Sequence, residues 1–403
     1  MKKSLLMILI CILWACASQD LRSQSSESLS SPQPPSKDTR PLNSTAGNAT
    51  STGEPVEKKS YKTIDDAYSA MKKNLSELPE ESVKSAFELA VKTLKDHPNH
   101  VIANIVLFEA HLYKKNEEQV VELFNKLVRL TPETPELCIE LGAVIAKLGK
   151  ISEAMIQFQR SVELDPNYAT GYYNLGRAYF MKRDFEQAII AYKKTVELNP
   201  REHRAWNNLG WVYMAQKDFE HSMTSLKRAI QEKQDYPVAY LNLGMVYLLQ
   251  KDLDNAEGMF KQYIELKPDD SEGYRNLSSV YQQKGKMDDA IQILRTFLQI
   301  KPDDIIAKNN LAVLLLSKAR YGESVRLLKS IHNKNVNDPK FNKEVAKTLA
   351  VASYHLAEAL TKREGKSKQA IDAYRDYLNL SDNLSEDLIK EIEMKIKRLE
   401  NTI

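Results

Sequence analysis

From about residue 61 to the C-terminus, apolar residues recur at helical spacing, and between about residues 67 and 338 the pattern repeats every 34 residues. Prolines mark this period at Pro98, Pro132, Pro166, Pro200, Pro268 and Pro302. The one missing position is Gln234, and Pro237 stands three residues after it. A fixed period of this length is typical of repeat architectures, in which each unit is one supersecondary structure.

Each period predicts two helices joined by a short turn. The first helix carries an aromatic residue, Leu, Gly and Tyr, as in the segments YYNLGRAY, WNNLGWVY, YLNLGMVY and YRNLSSVY. The second helix carries a small residue in phase with the repeat, as at Ala154, Ala188, Ser222, Ala256 and Ala290. Small residues at a crossing let two helix backbones approach closely, and a proline ends the second helix because it cannot continue one.

These residues resemble the tetratricopeptide repeat, whose unit is a pair of antiparallel helices. The resemblance implies an all-α fold, a right-handed superhelical solenoid of about eight or nine helix-turn-helix repeats with a C-terminal capping helix. Residues 135–304 carry five strong repeats. We expect two degenerate repeats over residues 61–134, further degenerate repeats over 305–383, and the capping helix over 384–403.

The first 60 residues have a different composition. Residues 1–15 combine a basic start with an apolar run from Ser4 to Ala15, which is too short to cross a hydrocarbon core of about 30 Å. We interpret these residues as a signal peptide, with a short uncleaved anchor as the alternative. Residues 16–60 are rich in Ser, Thr, Pro and Gln, so we expect a disordered tether.

The segment Leu13-Trp14-Ala15-Cys16 resembles the lipobox of bacterial lipoproteins, in which the Cys becomes the lipidated first residue of the mature protein. This resemblance implies a lipid anchor, such as palmitate, at Cys16 and a periplasm-facing protein of the cell envelope. Ala17 after the Cys favours the outer membrane over the inner one. Trp14 departs from the small residue usual at its position, and ordinary cleavage near Ala15 or Ala17 would instead leave a soluble periplasmic or secreted protein.

Composition disfavours several functional classes. Lys and Arg number 57 against 54 Asp and Glu, a net charge of +3, so no basic field indicates nucleic acid. The seven His are scattered, no phosphate-binding loop or nucleophile elbow is present, and the acidic residues are expected on solvated helix faces. Cys138 occupies an aromatic position of the repeat, which predicts a buried packing residue. We therefore expect a protein that is not an enzyme and has no cofactor, metal or small-molecule substrate.

In the tetratricopeptide fold the first helices line a concave groove, and the residue just before the repeated Leu points into it. Here that residue is Asn in five successive repeats, Asn174, Asn208, Asn242, Asn276 and Asn310. An amide offers a donor and an acceptor, so it can pair with the backbone of an extended peptide. The arrangement resembles the asparagine ladder of the O-GlcNAc transferase repeat domain. The alternative is that each amide bonds to an adjacent helix.

Neighbouring groove positions are expected to set a side-chain preference. Large apolar residues occupy them at Tyr173, Phe180, Trp211, Met214, Leu241, Met245 and Leu248. Arg177 and Arg275 are available to hold acidic or C-terminal carboxylate groups. The alternative for the apolar residues is that some of them pack against the next repeat or against a chain terminus folded into the groove.

These patterns predict a lipid-tethered, non-enzymatic adaptor that binds an extended segment of a protein partner and so assembles or stabilises an envelope complex. The stretch from Arg204 to Asn310 resembles the pilotin lipoproteins of type IV pili, which implies a role in pilus or secretin biogenesis. This chain has more repeats and a longer tether than is usual in that family. The alternative is a targeting subunit that positions an envelope enzyme acting on peptidoglycan or polysaccharide in trans.

Overall fold

The structure, a computed structural model, describes residues 61–74, 78–114, 116–332, 338–381 and 384–402. The predicted signal peptide, Cys16 and the tether lie outside the described residues. Within them there are nineteen helices and no strand. The helices are α1 (Ile64–Asn74), α2 (Glu80–Asp96), α3 (Val101–Tyr113), α4 (Glu117–Leu127), α5 (Pro135–Lys147), α6 (Ile151–Leu164), α7 (Ala169–Met181), α8 (Phe185–Leu198), α9 (His203–Ala215), α10 (Phe219–Glu232), α11 (Pro237–Leu249), α12 (Leu253–Leu266), α13 (Ser271–Gln283), α14 (Met287–Ile300), α15 (Ile305–Ser317), α16 (Tyr321–Ile331), α17 (Pro339–Thr361), α18 (Ser367–Leu380) and α19 (Glu386–Glu400).

The helices alternate as the first and second members of hairpins, with odd-numbered first helices up to α17. Residues up to Pro200 and residues from Arg201 form two compact units. The first unit contains α1 to α8 and the second contains α9 to α19. In each unit a helix packs against the next one along the chain, so the predicted all-α array of helical hairpins is confirmed.

The crossing of the two helices in a hairpin depends on the glycine that follows the repeated Leu. A Cβ atom built on Gly244 would lie 2.7 Å from the ring of Phe260, and one on Gly210 would lie 2.6 Å from Leu226 Cγ. Gly176 meets Tyr192 in the same way at 2.7 Å. The large residue of the second helix therefore occupies the space that a side chain on the first helix would need.

Two later hairpins lack this glycine and use a hydroxyl bond at the equivalent place. Ser278 Oγ donates to the carbonyl oxygen of Ala290 at 3.2 Å, and Ser324 Oγ donates to that of Ala312 at 2.7 Å. All four residues are buried. Ser222 Oγ makes the same bond to the carbonyl oxygen of Gly210 at 2.7 Å, so the bond does not depend on loss of the glycine. The crossing tolerates Ser or Ala in place of glycine because these residues are also small.

The turn inside six successive hairpins contains one residue in the left-handed region, and these residues are spaced 34 apart. Their φ angles lie between 58° and 76°, at Gly149, Arg183, Lys217, Lys251, Gly285 and Ala319. After three of them an Asp side chain caps the second helix by accepting from a backbone N–H, at Asp184, Asp218 and Asp252. The turn is thus held by the cap and by the packed helices even where the residue is not Gly.

The capping helix predicted for the C-terminus is α19. Its buried residues Ile392 and Ile396 pack on a cluster that includes Tyr374. Glu358 on α17 ties three helices together, because it accepts from Tyr374 Oη at 2.6 Å and from Lys395 Nζ at 2.8 Å. The rest of α19 is strongly charged, with both signs represented.

One acidic residue is not on a solvated face, contrary to the expectation for the acidic side chains. Glu109 lies on the almost entirely buried helix α3 and is only 8% exposed. Its Oε2 atom is buried without a hydrogen-bond partner, and burial raises the pKa of this carboxyl against the opposing charges of Lys147 and Lys72. The helical pattern could not reveal this, because α3 has apolar residues around its whole circumference.

We predict opposite effects for two Gly→Ala substitutions in the second unit. Gly244→Ala should lower the free energy of unfolding by about 1–3 kcal/mol, because the new methyl group forces Phe260 to move. Gly258→Ala is the matched control inside α12, where no atom lies within 4 Å of the added Cβ. It should raise stability by about 0.5–1 kcal/mol through helix propensity alone. Urea unfolding followed by circular dichroism checks both, and stabilisation by Gly244→Ala would disprove the close crossing.

Candidate functional site

The candidate site is a stripe of partly exposed side chains on the first helices of the second unit. On α13 the residues Tyr274, Leu277 and Ser278 are buried, whereas Arg275 and Asn276 are partly exposed. Because residues three and four apart share a face of a helix, Ser279 and Gln282, which are also partly exposed, extend the same stripe. We call the equivalent stripes of α9, α11, α13 and α15 together the first-helix face.

The five predicted ladder asparagines do not have equivalent surroundings. Asn174 and Asn242 are buried, and Asn242 is only 1% exposed. Asn174 Nδ2 donates to the carbonyl oxygen of Thr170 in its own helix at 2.9 Å. Asn208, Asn276 and Asn310 remain partly exposed. In the structure as it stands, the amides of Asn174 and Asn242 therefore serve internal bonds.

An amide chain joins α9 to α11. Asn242 Nδ2 donates to Asn207 Oδ1 at 2.9 Å, and Asn207 Nδ2 donates to Asn208 Oδ1 at 3.3 Å. Asn207 is buried and was not among the predicted site residues. The available signal was the doublet Asn207-Asn208, which places two amides side by side where most repeats have one.

The second doublet, Asn309-Asn310 on α15, lacks the equivalent hydrogen bond to the next first helix. The Oδ1 atom of Asn309 is buried and has no hydrogen-bond partner. The position that supplies the donor in the α9–α11 pair is occupied on α17 by Glu344, which is exposed and pairs with Lys347 at 3.2 Å. An ionised carboxylate has no hydrogen to donate. The amide acceptor of Asn309 is therefore left over at the first-helix face.

Arg275 on α13 occupies the same repeat position as Asn309. Its Nε atom is buried without an acceptor. Nη2 lies 3.9 Å from Oε1 of Glu272, which is an ion-pair distance but too long for a hydrogen bond. The guanidinium group thus retains hydrogen-bonding capacity at a partly buried place.

The predicted apolar positions divide into core and surface. Met214 and Leu241 are buried within clusters between successive hairpins. Trp211, Met245 and Leu248 are partly exposed and pack on the same clusters, so each presents one side to the first-helix face. The neighbouring Leu249, which was not predicted, is 57% exposed. Position within the repeat alone does not distinguish these cases, because burial depends on the side chains that neighbouring helices pack over each residue.

The remaining predicted residues lie in the first unit. Tyr173 packs against Tyr192 with ring centres 6.0 Å apart, and the guanidinium carbon of Arg177 lies 6.0 Å from the centre of the Tyr173 ring. The ring centres of Phe180 and Phe185 lie 6.0 Å apart. Tyr173, Arg177 and Phe180 are all partly exposed. They form an aromatic and cationic surface on α7 and belong to a different unit from the first-helix face.

The described residues contain neither a metal-binding cluster nor a membrane-spanning helix. No group of three or more His, Cys, Asp or Glu side chains is arranged there to hold a metal ion. No helix in the same part of the chain combines the length and the apolar character needed to cross a membrane. Cys138 is buried, as predicted, and burial raises the pKa of its thiol despite Arg160 nearby.

Family models of one kind match the central part of the chain. Two models described as tetratricopeptide repeat match residues 173–237 and residues 213–279 and 281–348. A third, described as TPR repeat, matches residues 142–183. None of the curated proteins matches the chain.

Solved structures are similar to parts of the chain. MamA is 25% identical with a TM-score of 0.38, and the match covers 40% of this chain and 94% of that one. YrrB, described as a TPR protein with an unusual peptide-binding site, is 22% identical with a TM-score of 0.38 and coverages of 46% and 95%. PilF of Pseudomonas aeruginosa is 19% identical with a TM-score of 0.44 and coverages of 53% and 97%.

A double-mutant cycle separates structural amides from exposed ones. Asn242→Ala should cost about 1–3 kcal/mol of stability, because Asn207 Oδ1 then remains buried without a donor. Combining it with Asn207→Ala should cost about 1 kcal/mol less than the sum of the single changes. Asn276→Ala, at the equivalent but partly exposed position, should stay within about 0.5 kcal/mol of wild type. Denaturant unfolding measures all four, and additive effects at Asn207 and Asn242 would disprove their pairing.

Proposed function

Residues 142–279 and 281–348 are tetratricopeptide repeats, and from this we propose that the chain is a non-enzymatic adaptor that binds an extended segment of a protein partner along the first-helix face. Tetratricopeptide repeats indicate a protein-interaction role in general. The finer statement, that the ligand is an extended segment and that this face receives it, is our proposal.

The observation that carries the proposal is the pair of unused polar atoms on neighbouring first helices. Arg275 Nε is a donor and Asn309 Oδ1 is an acceptor, and neither has a partner within the described structure. Buried polar groups without partners are costly, so each is expected to find a partner outside the chain, in ordered water or in a ligand. The backbone of an extended segment supplies both a carbonyl oxygen and an N–H, whereas a folded partner has already paired most of its own.

Apolar contacts supply the second part of the support. Trp211, Met245, Leu248 and Leu249 present apolar surface on α9 and α11, the two first helices that precede α13. Aromatic and Met side chains are enriched at the centres of protein interfaces, where each buries a large apolar area. An adaptor needs this combination, since the apolar contacts provide affinity and the amides fix the backbone of the ligand.

We further propose that the adaptor is tethered by a lipid at Cys16 to the periplasmic side of the bacterial envelope, at the outer membrane. The support is the segment from Leu13 to Cys16 and the Ser- and Pro-rich stretch up to residue 60. A flexible tether of this length reaches about 35–40 Å. The partner complex proposed for such an adaptor is the pilus or secretin assembly, on the resemblance of residues 204–310 to pilotin lipoproteins.

Metabolic labelling tests the tether. Cells producing the full chain and supplied with labelled palmitate should incorporate the label into the wild-type protein, and Cys16→Ala should remove it and release the protein from the membrane fraction. Cys138→Ala, a change of the buried thiol, is the matched control and should keep both label and location. Label that persists in Cys16→Ala, or a wild-type chain without label, would disprove lipidation.

Site-specific crosslinking tests the adaptor itself. A photo-crosslinking amino acid in place of Ser279, on the first-helix face, should capture a partner in cells through one continuous segment mapped by mass spectrometry. The same amino acid in place of Gln292, exposed on the second helix α14, should not. Asn276→Ala combined with Asn310→Ala should lower the yield several-fold, because each partly exposed amide contributes a ligand hydrogen bond of about 1 kcal/mol.

Two outcomes would contradict the adaptor proposal. Equal crosslinking from both positions would show that the first-helix face has no special role. Crosslinks from Ser279 that scatter over the surface of a folded domain would show that the ligand is not an extended segment. The identity of the captured protein then decides between an assembly component and the alternative, an envelope enzyme positioned in trans.

A further inference from the structure

We propose that the first-helix face selects an extended segment in which an acidic side chain is flanked by a large apolar side chain three residues before it and another three residues after it. The inference rests on the proposed function and names the class of segment that the face accepts. Arg275 is the residue that determines the preference for the acid.

Three neighbouring first helices differ in the polarity of the partly exposed residues along the first-helix face. On α11 the partly exposed residues Met245 and Leu248 are apolar. On α13 they are Arg275, Asn276, Ser279 and Gln282, all polar. On α15 the partly exposed Val313 and Leu316 are apolar again, next to the amides of Asn309 and Asn310. A ligand that runs across the three helices therefore meets apolar, polar and apolar surface in turn.

The hydrogen-bond donors of Arg275 decide which ligand group can bind beside it. Its Nε atom is buried without an acceptor, and Glu272 is too distant to accept a hydrogen bond from Nη2. A guanidinium group has only donors, so a ligand group at this place must be an acceptor. A carboxylate satisfies two of its N–H groups at once and also its charge, which a neutral carbonyl or amide oxygen does not.

The spacing of the segment follows from the separation of the first helices. α13 packs on α15, and α11 and α13 both pack on α12, and helices in direct packing lie about 8–10 Å apart. We take the same separation for α11 and α13. Because an extended chain advances about 3.3 Å per residue, a segment crossing from one first helix to the next advances by about three residues. The acid opposite α13 then has its apolar neighbours three residues away on either side, opposite Met245 and Leu248 of α11 and Val313 and Leu316 of α15.

The surroundings of Arg275 favour a side-chain carboxylate over the carboxylate at a chain end. A chain that ended at Arg275 would leave the apolar side chains of α11 or of α15 without a ligand. Asn309 Oδ1, one repeat beyond Arg275, still needs a donor, and a backbone N–H of a continuing segment provides one. The segment thus passes through the site, and the acid is Asp or Glu within it.

Binding of synthetic peptides to the purified full chain tests the inference. The probe is a fluorescein-labelled, C-terminally amidated peptide of the form Leu-Ser-Ser-Glu-Ser-Ser-Leu, and its binding is followed by fluorescence anisotropy. Replacing Glu by Gln should weaken binding about 10-fold or more, because a charge-assisted hydrogen bond contributes more than a neutral one. Moving the Glu by one position should weaken it to a similar extent.

Variants of the protein assign this preference to Arg275. Arg275→Gln should weaken binding of the Glu peptide about 10-fold. This variant should then bind the Glu and Gln peptides with equal affinity. Arg275→Glu should restore binding when Lys replaces Glu in the peptide. Arg228→Gln is the matched control on α10, where the arginine pairs with Glu232, and it should leave the preference unchanged. Circular dichroism spectra and unfolding midpoints of all variants verify that they are folded.

Several results would overturn the inference. Equal affinity of wild type for the Glu and Gln peptides would remove the acid preference. Binding only of a peptide with a free C-terminal carboxylate would replace the internal acid by a chain end. Failure of every peptide to bind would refute the motif, and crosslinking at Ser279 would still decide separately whether the face binds a partner.

Discussion

The close crossing of the two helices in each hairpin is the constraint on which the structure depends. Gly176, Gly210 and Gly244 leave room for Tyr192, Leu226 and Phe260, and the space is shared so closely that a single methyl group does not fit. The side of the first helix that carries the glycine packs against the second helix of its own hairpin. The opposite side can therefore contact neighbouring first helices or solvent. The first-helix face, which we propose as the binding face, thus results from how each hairpin is packed.

This origin explains why equivalent residues have different roles. An asparagine before the repeated Leu stands at the border between the packed side and the exposed side. Asn242 donates to an acceptor on the preceding first helix and is part of the interior, whereas Asn276 shares its helix with partly exposed polar residues and is itself partly exposed. The same side chain is therefore an internal bond donor in one repeat and a surface group in another.

The sequence was sufficient for everything that depends on periodicity. The 34-residue spacing, the Leu-Gly pairs and the prolines predicted helices, hairpins and turns because each of these follows from local chemistry repeated in phase. The burial of Met214, Leu241 and Glu109 was not predictable in this way. It depends on which side chains of other helices pack over each position, and the period does not specify these contacts. Arg275 was identified from its charge and its position, but only the structure shows that its Nε lacks an acceptor.

A stack of identical hairpins has no intrinsic length, since each hairpin leaves an apolar surface that fits the next one. In this chain α19 covers the apolar surface of the preceding hairpin with Ile392 and Ile396 and turns a charged side outward, while Glu358 holds it by accepting hydrogen bonds from Tyr374 and Lys395. A further hairpin at this place would meet charged side chains instead of an apolar face, so the surface that stacks one repeat on the next does not continue across α19.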